Sequence, residues 1–466
     1  MPASASDLSA VRLLVLLNPG NTSRNYLVGI ARAAERMGIL AGALELEPIW
    51  RQVAAAGPQA GAIRMQAAQQ LRALCAERRV THVLGYTHNG VFEFGVFPDP
   101  AGGATPVGLF SSLGIRHILL WTDHPHWAAQ GSALEPQVAR VLADPRHLHI
   151  VKSPSAAAEL RALCAWPRVF ATTMGEDYEA LAPVRGIEPL HDVVLIQSDA
   201  APISTAAARF LELDDPDPLD MLEAHREPAM RAVGAALGAM TPPPTDAGRE
   251  AIEALCRAMV DARIASPQDP WWRIAQPLFE AHAEASDWLR ADMRRWVGLT
   301  SALNSLTGWT RRFWPVWLAR RANVGLYGSA SECMGMTTPP DGAQWIGYAQ
   351  QPAIYARGRI ALNINAGHDE EGLTHKPFQI AAAEVPCIHH DTLGLADAFA
   401  PGEEIIPFNR GPALLDAVRS LTGDEPRRRA IAQAMRARAQ RDHTWGRFLE
   451  RCLHAERTLP SKRRTI

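Results

Sequence analysis

The sequence predicts an α/β protein with two doubly wound parallel sheets and a helical middle region. Short apolar runs rich in branched residues alternate with helix-length segments over residues 11–196, and the alternation resumes after residue 321. Strands that alternate with helices build a parallel sheet that is covered by helices on both faces. From about residue 200 to 310 the strand pattern fades, and Ala, Leu, Glu and Arg dominate. We therefore expect two sheets with a helical region between them.

The length of the chain agrees with several domains. At 466 residues it exceeds what one hydrophobic core usually organises, so two or three domains are expected. We predict an N-terminal α/β domain over 1–200, a helical region over 201–320, a second α/β domain over 321–445, and a C-terminal helix and tail over 446–466.

Composition argues against several classes of protein. The chain has 47 Lys and Arg residues and 49 Asp and Glu residues, which gives a net charge of -2. A charge this small does not attract nucleic acid or an anionic membrane over a long range. The six cysteines are scattered without a Cys-x-x-Cys pair, which fits a reducing cytoplasm. No apolar run approaches the roughly 18 to 20 residues of a membrane span, and the N-terminus lacks a signal-peptide pattern. We expect a cytoplasmic protein without a transmembrane segment and without a nucleic-acid partner.

The N-terminal domain opens with a strand, a turn and a helix. VRLLVLL at residues 11–17 is a continuous apolar run that predicts a buried strand, and Asn18-Pro19-Gly20-Asn21 ends it. Apolar residues then repeat at helical spacing up to Gly38, which suits the end of a helix. Further strands are predicted at 80–86, 116–121, 148–151 and 192–196.

The helical middle region is rich in tryptophan and ends in WTRRFWPVWLARR at residues 309–321. A peripheral membrane helix has such a composition. Aromatic packing between domains, with the arginines reaching outward, is the interpretation that we favour, because one short segment interrupted by proline carries little membrane affinity.

The second α/β domain is predicted from strands at 323–328, 344–347, 359–365, 386–390 and 403–408. In an open parallel sheet, ligands bind beyond the carboxyl ends of the strands, close to the N-termini of the following helices. The turns after these strands are therefore the places to look for a site. Residues 362–408 hold a strand, a glycine-bearing polar loop, a helix start at 374–377, another strand and a second polar loop.

The same stretch resembles the C-terminal domain of the glycosyltransferases related to the spore maturation protein CgeB, within the GT-B group. The resemblance covers about residues 360–450 and depends on the order of its landmarks: Leu362-Asn363, Lys376, Phe378, Gly394-Leu395, Phe399, Pro401-Gly402-Glu403-Glu404 and Asp442-His443-Thr444-Trp445. It implies two Rossmann-like domains that face each other across a nucleotide-sugar cleft. It also implies an enzyme of the hexosyltransferase type that moves a sugar from a nucleotide diphosphate to a hydroxyl group on a protein or glycan, with no cofactor and no metal.

The leaving diphosphate of such a reaction develops negative charge, which basic side chains and helix N-termini stabilise. Lys376 at the predicted helix start meets that need. We predict that the donor lies beside it and beside neighbouring residues at the strand ends and the helix start, namely Gly328, Gly372, Thr374, His375, Gln379, His390 and Asp391. Gly325 and Gly328 hold the first strand-to-helix turn of this domain, where a phosphate could approach the backbone.

One residue departs from the family pattern. The family has a Glu that binds the donor ribose where this chain has Gln379, and an amide binds a hydroxyl pair less strongly than an ionised carboxylate does. Glu384, further along the helix, is an alternative ribose ligand. The loop acids Asp369, Glu370 and Glu371 either contact sugar hydroxyls or form a solvated loop.

The acceptor side is predicted in the first domain. The segment WTDHPHW at residues 121–127 follows a strand and resembles the Asp-x-Pro step of the same family. Asp123 is the first choice for the general base, and His124 or His126 is the second. The structural alternative is that Asp123 caps a helix and that the histidines are hydrogen-bonded within the protein. A metal site at this segment would need further ligands. His88 after another strand and the turn Gly20-Asn21 are further acceptor-side candidates.

Two other functions stay open at this point. A nucleotide-sugar 2-epimerase has the same two-domain architecture as a GT-B transferase. A catalytically silent scaffold that binds a protein partner through the helical region is the other alternative, and Gln379 in place of Glu is compatible with it.

Overall fold

A computed structural model describes residues 8–125, 136–197, 203–240, 244–328, 346–365 and 371–460. The chain divides into two compact units. Unit 1 comprises Met1–Asp177 together with Thr444–Ile466, and unit 2 comprises Tyr178–His443.

Unit 1 contains a six-stranded parallel sheet with the order β2-β1-β3-β6-β7-β8. Its strands are β1 (Leu13–Leu17), β2 (Leu40–Glu45), β3 (His82–Tyr86), β6 (Arg116–Leu120), β7 (His147–Val151) and β8 (Val169–Ala171). A separate antiparallel pair is formed by β4 (Val96–Phe97) and β5 (Val107–Gly108). All five residues of β1 and of β7 are buried, as expected for strands covered on both faces.

In the part of unit 1 that the structure describes, the helices between these strands are α1 (Asn21–Arg36), α2 (Glu47–Ala55), α3 (Ala60–Glu77), α4 (Leu109–Ser112), α5 (Pro136–Leu142) and α6 (Pro154–Leu163). Ser153 caps α6, since its side chain accepts a hydrogen bond from the Ala156 amide.

Unit 2 contains a five-stranded parallel sheet with the order β10-β9-β11-β12-β13. Its strands are β9 (His191–Ile196), β10 (Val324–Tyr327), β11 (Gly358–Asn363), β12 (Cys387–His390) and β13 (Ile406–Phe408). Two parallel sheets with covering helices and a helical region confirm the predicted fold class, including its two Rossmann-like domains.

The crossover from β9 to β10 carries the helical region, which we call the helical insert. It consists of α7 (Thr205–Ala208), α8 (Pro218–Ala239), α9 (Asp246–Ala265), α10 (Trp271–Ala281), α11 (Ala283–Ala291), α12 (Met293–Leu303) and α13 (Thr310–Ala319). The other helices that are described in unit 2 include α14 (Gln351–Tyr355), α15 (Lys376–Ala383), α16 (Leu395–Ala398), α17 (Gly411–Gly423) and α18 (Glu425–Asp442).

The tryptophan-rich end of the insert belongs to the core of unit 2. Phe313, Trp314 and Trp317 on α13 are at most 1% exposed. The guanidinium of Arg321 lies over the Trp317 ring at 4.3 Å, so this arginine covers the aromatic cluster. The segment is therefore a packed helix and not a membrane-surface helix. Among the described residues, no helix has both the length and the apolarity that a bilayer crossing needs.

The last helix, α19 (Trp445–Thr458), returns to unit 1. Trp445 packs against Tyr26 of α1 with ring centroids 5.8 Å apart. Glu456 on α19 is buried and forms ion pairs with Arg116 at 2.8 Å and with Arg168 at 3.3 Å. Arg168 is only 1% exposed, so Glu456 neutralises a cation that water does not reach.

These contacts correct the predicted boundaries. The strand at 192–196 was assigned to a first domain over 1–200, but β9 pairs with β10 and β11, and the units divide at Asp177/Tyr178. The C-terminal helix is part of unit 1 and not a separate tail. Of the strand predicted at 344–347, only residues 346 and 347 are described, and they have no regular secondary structure.

Candidate functional site

The donor residues predicted in unit 2 surround the loop between β11 and α15. Lys376 is the first residue of α15, and its half-buried ammonium donates to Oε1 of Gln351 at 3.3 Å. The chain has only three lysines among its 47 basic residues, the others being Lys152 and Lys462. A lysine at this helix start is thus unusual in a chain that otherwise uses arginine.

The first turn of α15 has few backbone amides to give to an anion. Pro377 has no N–H, and the amides of Phe378 and Gln379 both donate to the carbonyl oxygen of His375 at 3.1 Å. A phosphate at this turn would therefore contact mainly the Lys376 ammonium. The backbone amides of the helix N-terminus would contribute less than we expected from the sequence.

Gln379 lies one turn after Lys376 and is 2% exposed. Its Oε1 is buried and has no hydrogen-bond partner among the described residues, and the same holds for Oγ1 of Thr374. Leaving such atoms unsatisfied costs roughly 1–3 kcal/mol each. An amide oxygen accepts hydrogen bonds, so the hydroxyl of a ligand would satisfy Gln379.

Glu384, the alternative ribose ligand, and the loop acid Glu371 both have ion-pair partners. Glu384 ends α15 in the left-handed conformation with φ 57°, and it pairs with Arg185 at 2.8 Å. It lies at the opposite end of the helix from Lys376. Glu371 is buried and pairs with Arg273 of the insert at 2.7 Å, so it is not part of a solvated loop. Asp369 and Glu370 lie outside the described residues.

Several predicted donor residues have structural roles that are now visible. Gly328 follows β10 with φ +104°, and a Cβ there would lie 2.3 Å from the carbonyl oxygen of Gln197. A Cβ at Gly325 would lie 2.3 Å from the His191 ring. Both glycines are therefore required by close approach of β10 to its neighbours. Gly372 is buried, and its carbonyl accepts from Asn365 at 2.9 Å.

The end of β12 holds two neutral histidines. Nδ2 of Asn363 donates to Nε2 of His389 at 2.9 Å, and Nδ1 of His389 donates to the His390 carbonyl at 2.5 Å. Burial lowers the pKa of His389 to about 4. Burial also lowers the pKa of His390 to about 4, although the charge of Asp391 opposes this shift. Near neutral pH both rings are therefore neutral, and both nitrogens of His389 are already hydrogen-bonded within the protein.

His390 and Asp391 line a cavity of about 520 Å³ inside unit 2. The helical insert forms one wall of this cavity, and the ends of β11, β12 and β13 form the other. Lys376 and Gln379 are not among its lining residues. The structure thus brings His390 and Asp391 together in one cavity and leaves the Lys376–Gln379 turn outside its lining.

In unit 1 the predicted acceptor residues follow β3 and β6, which are neighbouring strands. Oη of Tyr86 and Oγ1 of Thr122 lie 2.5 Å apart. Burial raises the pKa of Tyr86 to about 12, and the charge of Asp123 adds to this shift. Asp123 is therefore close to the end of β3, as expected for residues at the same edge of a parallel sheet.

His124 has a carboxylate partner that the sequence did not indicate. Its Nε2 lies 3.3 Å from Oε2 of Glu159 on α6, and both side chains are largely buried. The separation is that of an ion pair if the imidazole is protonated. His126 lies outside the described residues. The described residues contain no group of three or more His, Cys, Asp and Glu that could hold a metal ion.

The remaining acceptor-side candidates have mainly packing or turn roles. Burial lowers the pKa of His88, whose ring lies 6.3 Å from that of Trp121. Gly20 precedes α1, and its carbonyl accepts from the hydroxyl of Ser23 at 3.1 Å. Asn21 is the first residue of α1.

Three solved structures are similar to the chain over nearly its whole length. Sucrose-phosphate synthase from Thermosynechococcus elongatus is 12% identical with a TM-score of 0.43, covering 95% of this chain and 98% of that one. A glycosyltransferase from Rickettsia africae is 8% identical with a TM-score of 0.41, covering 96% and 98%. Anabaena HepE, in complex with UDP and glucose, is 10% identical with a TM-score of 0.40, covering 95% and 100%. No curated protein matches the chain.

A family described as Glycosyl transferase-like matches residues 311–454. The matched segment, under a third of the chain, includes Lys376, Gln379, His390 and Asp391. The C-terminal third of this protein is therefore glycosyl transferase-like, which supports glycosyl transfer as its activity.

Proposed function

We propose that this protein is a glycosyltransferase related to the CgeB group that moves a hexose from a nucleotide diphosphate to a hydroxyl group of a protein or glycan. The observation that carries the proposal is the turn from Lys376 to Gln379 within the glycosyl transferase-like segment. Residues at positions i and i+3 are neighbours on one helix face, about 5–6 Å apart at Cβ. An ammonium and an unsatisfied amide oxygen at that spacing suit a diphosphate and a ribose hydroxyl.

In this proposal Lys376 stabilises the charge that develops on the departing diphosphate. A fixed cation in a partly buried site is worth more than the same cation in water, because the surrounding dielectric constant is lower. A side chain that supplies this charge makes a divalent metal unnecessary for the step. We therefore expect transfer to be unaffected by EDTA, within about twofold, when the rate is measured after dialysis against the chelator. Loss of transfer that Mg²⁺ or Mn²⁺ restores would contradict metal independence.

For the acceptor, we propose that His124 removes the hydroxyl proton during an inverting transfer. Glu159 would hold the imidazole in one orientation and stabilise its protonated form, as a carboxylate does for a catalytic histidine. Asp123, the first choice from sequence alone, would stay the alternative base. The pair of His124 with a largely buried carboxylate is the observation that favours His124.

The donor half of the proposal is tested by isothermal titration of the full chain with UDP, GDP, ADP and CMP. At least one nucleotide is expected to bind, and Lys376→Ala should weaken that binding by about 10- to 100-fold, since a hydrogen bond to a charged group contributes roughly 1.5–3 kcal/mol. Arg359→Ala is the matched control. Arg359 lies at the amino end of β11, pairs with Asp192 at 3.4 Å and is 45% exposed.

Failure of all four nucleotides to bind would remove the basis for the proposal. Equal affinities of the wild type and Lys376→Ala would remove the role of Lys376 alone. Turnover of UDP-N-acetylglucosamine without any acceptor would indicate a 2-epimerase, and nucleotide binding without transfer to any acceptor would indicate a silent scaffold.

A further inference from the structure

The segment that carries His124 begins where β6 leaves the sheet of unit 1. The amide of Trp121, the residue after β6, donates to the carbonyl oxygen of Ile150 on β7 at 2.9 Å. The Trp121 side chain is fully buried in an apolar cluster that also contains Ala156 of α6. Since α6 carries Glu159 and His124 follows Trp121 by three residues, the position of Trp121 affects both members of the His124–Glu159 pair.

Inside the core, the Trp121 indole has a polar partner in His149 of β7. Nε1–H of Trp121 donates to Nδ1 of His149 at 3.2 Å, and the planes of the two rings differ by 19°. His149 is also fully buried, and its ring stacks on Trp166 with centroids 3.9 Å apart. A hydrogen bond has a preferred direction, so it restrains the rotation of the indole in a way that apolar packing alone does not.

Hydrogen bonds also fix the tautomer of His149. An indole N–H only donates, so Nδ1 of His149 accepts and the ring hydrogen is on Nε2. This Nε2–H donates to the carbonyl oxygen of Leu142 at 2.9 Å. Burial first, and then the neighbouring His147, lower the pKa of His149 to about 3, although the Leu142 carbonyl opposes this shift. The ring is therefore neutral near pH 7, as an acceptor for Trp121 has to be.

His147 on the same strand provides an internal comparison. It is as buried as His149, and its Nδ1 lies 3.3 Å from the same Leu142 carbonyl. Its Nε2 lies 3.3 Å from Oγ of Ser111, a hydroxyl that can rotate to donate or to accept. The hydrogen bonds of His147 therefore go to Ser111 and Leu142, and not to Trp121.

We propose that His149 is a positioning residue for glycosyl transfer, which acts by holding the Trp121 indole so that His124 stays in place for proton removal. The inference rests on the proposed function, since it adds a residue to the step in which His124 takes the acceptor proton. Without an acceptor at Nδ1, the buried indole N–H would be unsatisfied, which favours a rearrangement of the indole and of the residues after it. A displacement of a catalytic group by about 1 Å lowers the rate by about 10²-fold.

The test compares His149→Asn with His149→Leu in the full chain. The two new side chains have nearly the same size and both lack the ring, but asparagine keeps an oxygen that can accept from Trp121. His149→Leu is expected to lower kcat by about 10- to 100-fold, with KM for both substrates changed by less than about threefold. His149→Asn should restore kcat to within about threefold of the wild-type value. His147→Leu is the matched control and should also stay within that limit.

Trp121→Phe provides a second variant if His149→Leu does not fold. It keeps an aromatic ring in the core and removes the N–H that His149 holds, so kcat should fall by about 3- to 10-fold. Trp166→Phe is its control. Trp166 is also buried and contacts the same imidazole, but by stacking, so this variant should keep kcat.

An NMR measurement tests the inference without any substrate. Trp121→Phe identifies the indole N–H resonance of Trp121, and hydrogen bonding moves an N–H proton downfield. This resonance should therefore lie upfield in His149→Leu relative to His149→Asn, two variants that both lack the imidazole ring.

Three results would overturn the inference. They are identical resonance positions in His149→Asn and His149→Leu, equal kcat values for these two variants, or a loss of kcat in His147→Leu as large as that in His149→Leu. If the resonances differ but no sugar is transferred from any donor, the proposed function fails and the hold of His149 on Trp121 does not, so the two failures are distinguishable.

Discussion

Replacing His124 by alanine is expected to lower kcat of glycosyl transfer by about 10²- to 10⁴-fold, which is the usual contribution of a general base. In the proposed mechanism the acceptor hydroxyl loses its proton as it attacks, and the imidazole of His124, whose Nε2 lies 3.3 Å from Oε2 of Glu159, receives this proton. The affinity for the donor nucleotide should not change, because the donor site that we propose contains Lys376 and not His124. The measurement is kcat and KM with the donor saturating, together with nucleotide titration.

Glu159→Gln and Asp123→Asn separate the roles around His124. Glu159→Gln keeps an oxygen acceptor but removes the charge, so kcat should fall while KM for the acceptor changes little. Asp123→Asn should reduce kcat less than His124→Ala does. If kcat of His124→Ala stays within about threefold of the wild-type value, His124 is not the general base. If Asp123→Asn lowers kcat more than His124→Ala does, Asp123 is the base instead.

Glu456→Ala is expected to lower the free energy of unfolding by about 3–5 kcal/mol, which is typical when one partner of a buried ion pair is removed. The variant leaves Arg168 buried without its carboxylate, and it weakens the tie between α19 and the rest of unit 1. Urea denaturation at pH 7 measures the effect. Glu450→Ala is the matched control on the same helix, because its pair with Arg447 is exposed and should contribute less than about 1 kcal/mol.

The same carboxylate makes stability depend on pH. Burial acts to raise the pKa of Glu456, but its hydrogen bond with His82 and the charges of Arg116 and Arg168 outweigh burial and lower the pKa from 4.5 to about 2. A folded pKa below the unfolded one stabilises the protein above pH 4.5, and this contribution is lost as the pH falls toward 2. The difference between the wild type and Glu456→Ala should therefore shrink below pH 4.5. A constant difference down to pH 3 would mean that the ion pair is not its source.

Local patterns in the sequence were enough to locate most elements. The strands at 11–17 and 359–365 and the helix that starts near Lys376 follow from apolar runs and helix-start residues, which act over a few positions. The candidate residues after strands were also identifiable, since every strand of a parallel sheet ends at the same edge. Asp123, His124, His390 and Asp391 are all at such ends.

The sequence by itself determined which segments become strands and helices, that they form parallel sheets, and which loops carry polar residues. The tertiary structure alone decided that β9 belongs to the second sheet, that α19 joins unit 1, and that Glu159 faces His124. It alone showed Arg263 and Trp314 lining one cavity. The physical reason is range: periodicity and capping act between neighbours along the chain, whereas strand partners, buried ion pairs and cavity walls join residues that only the folded chain brings together.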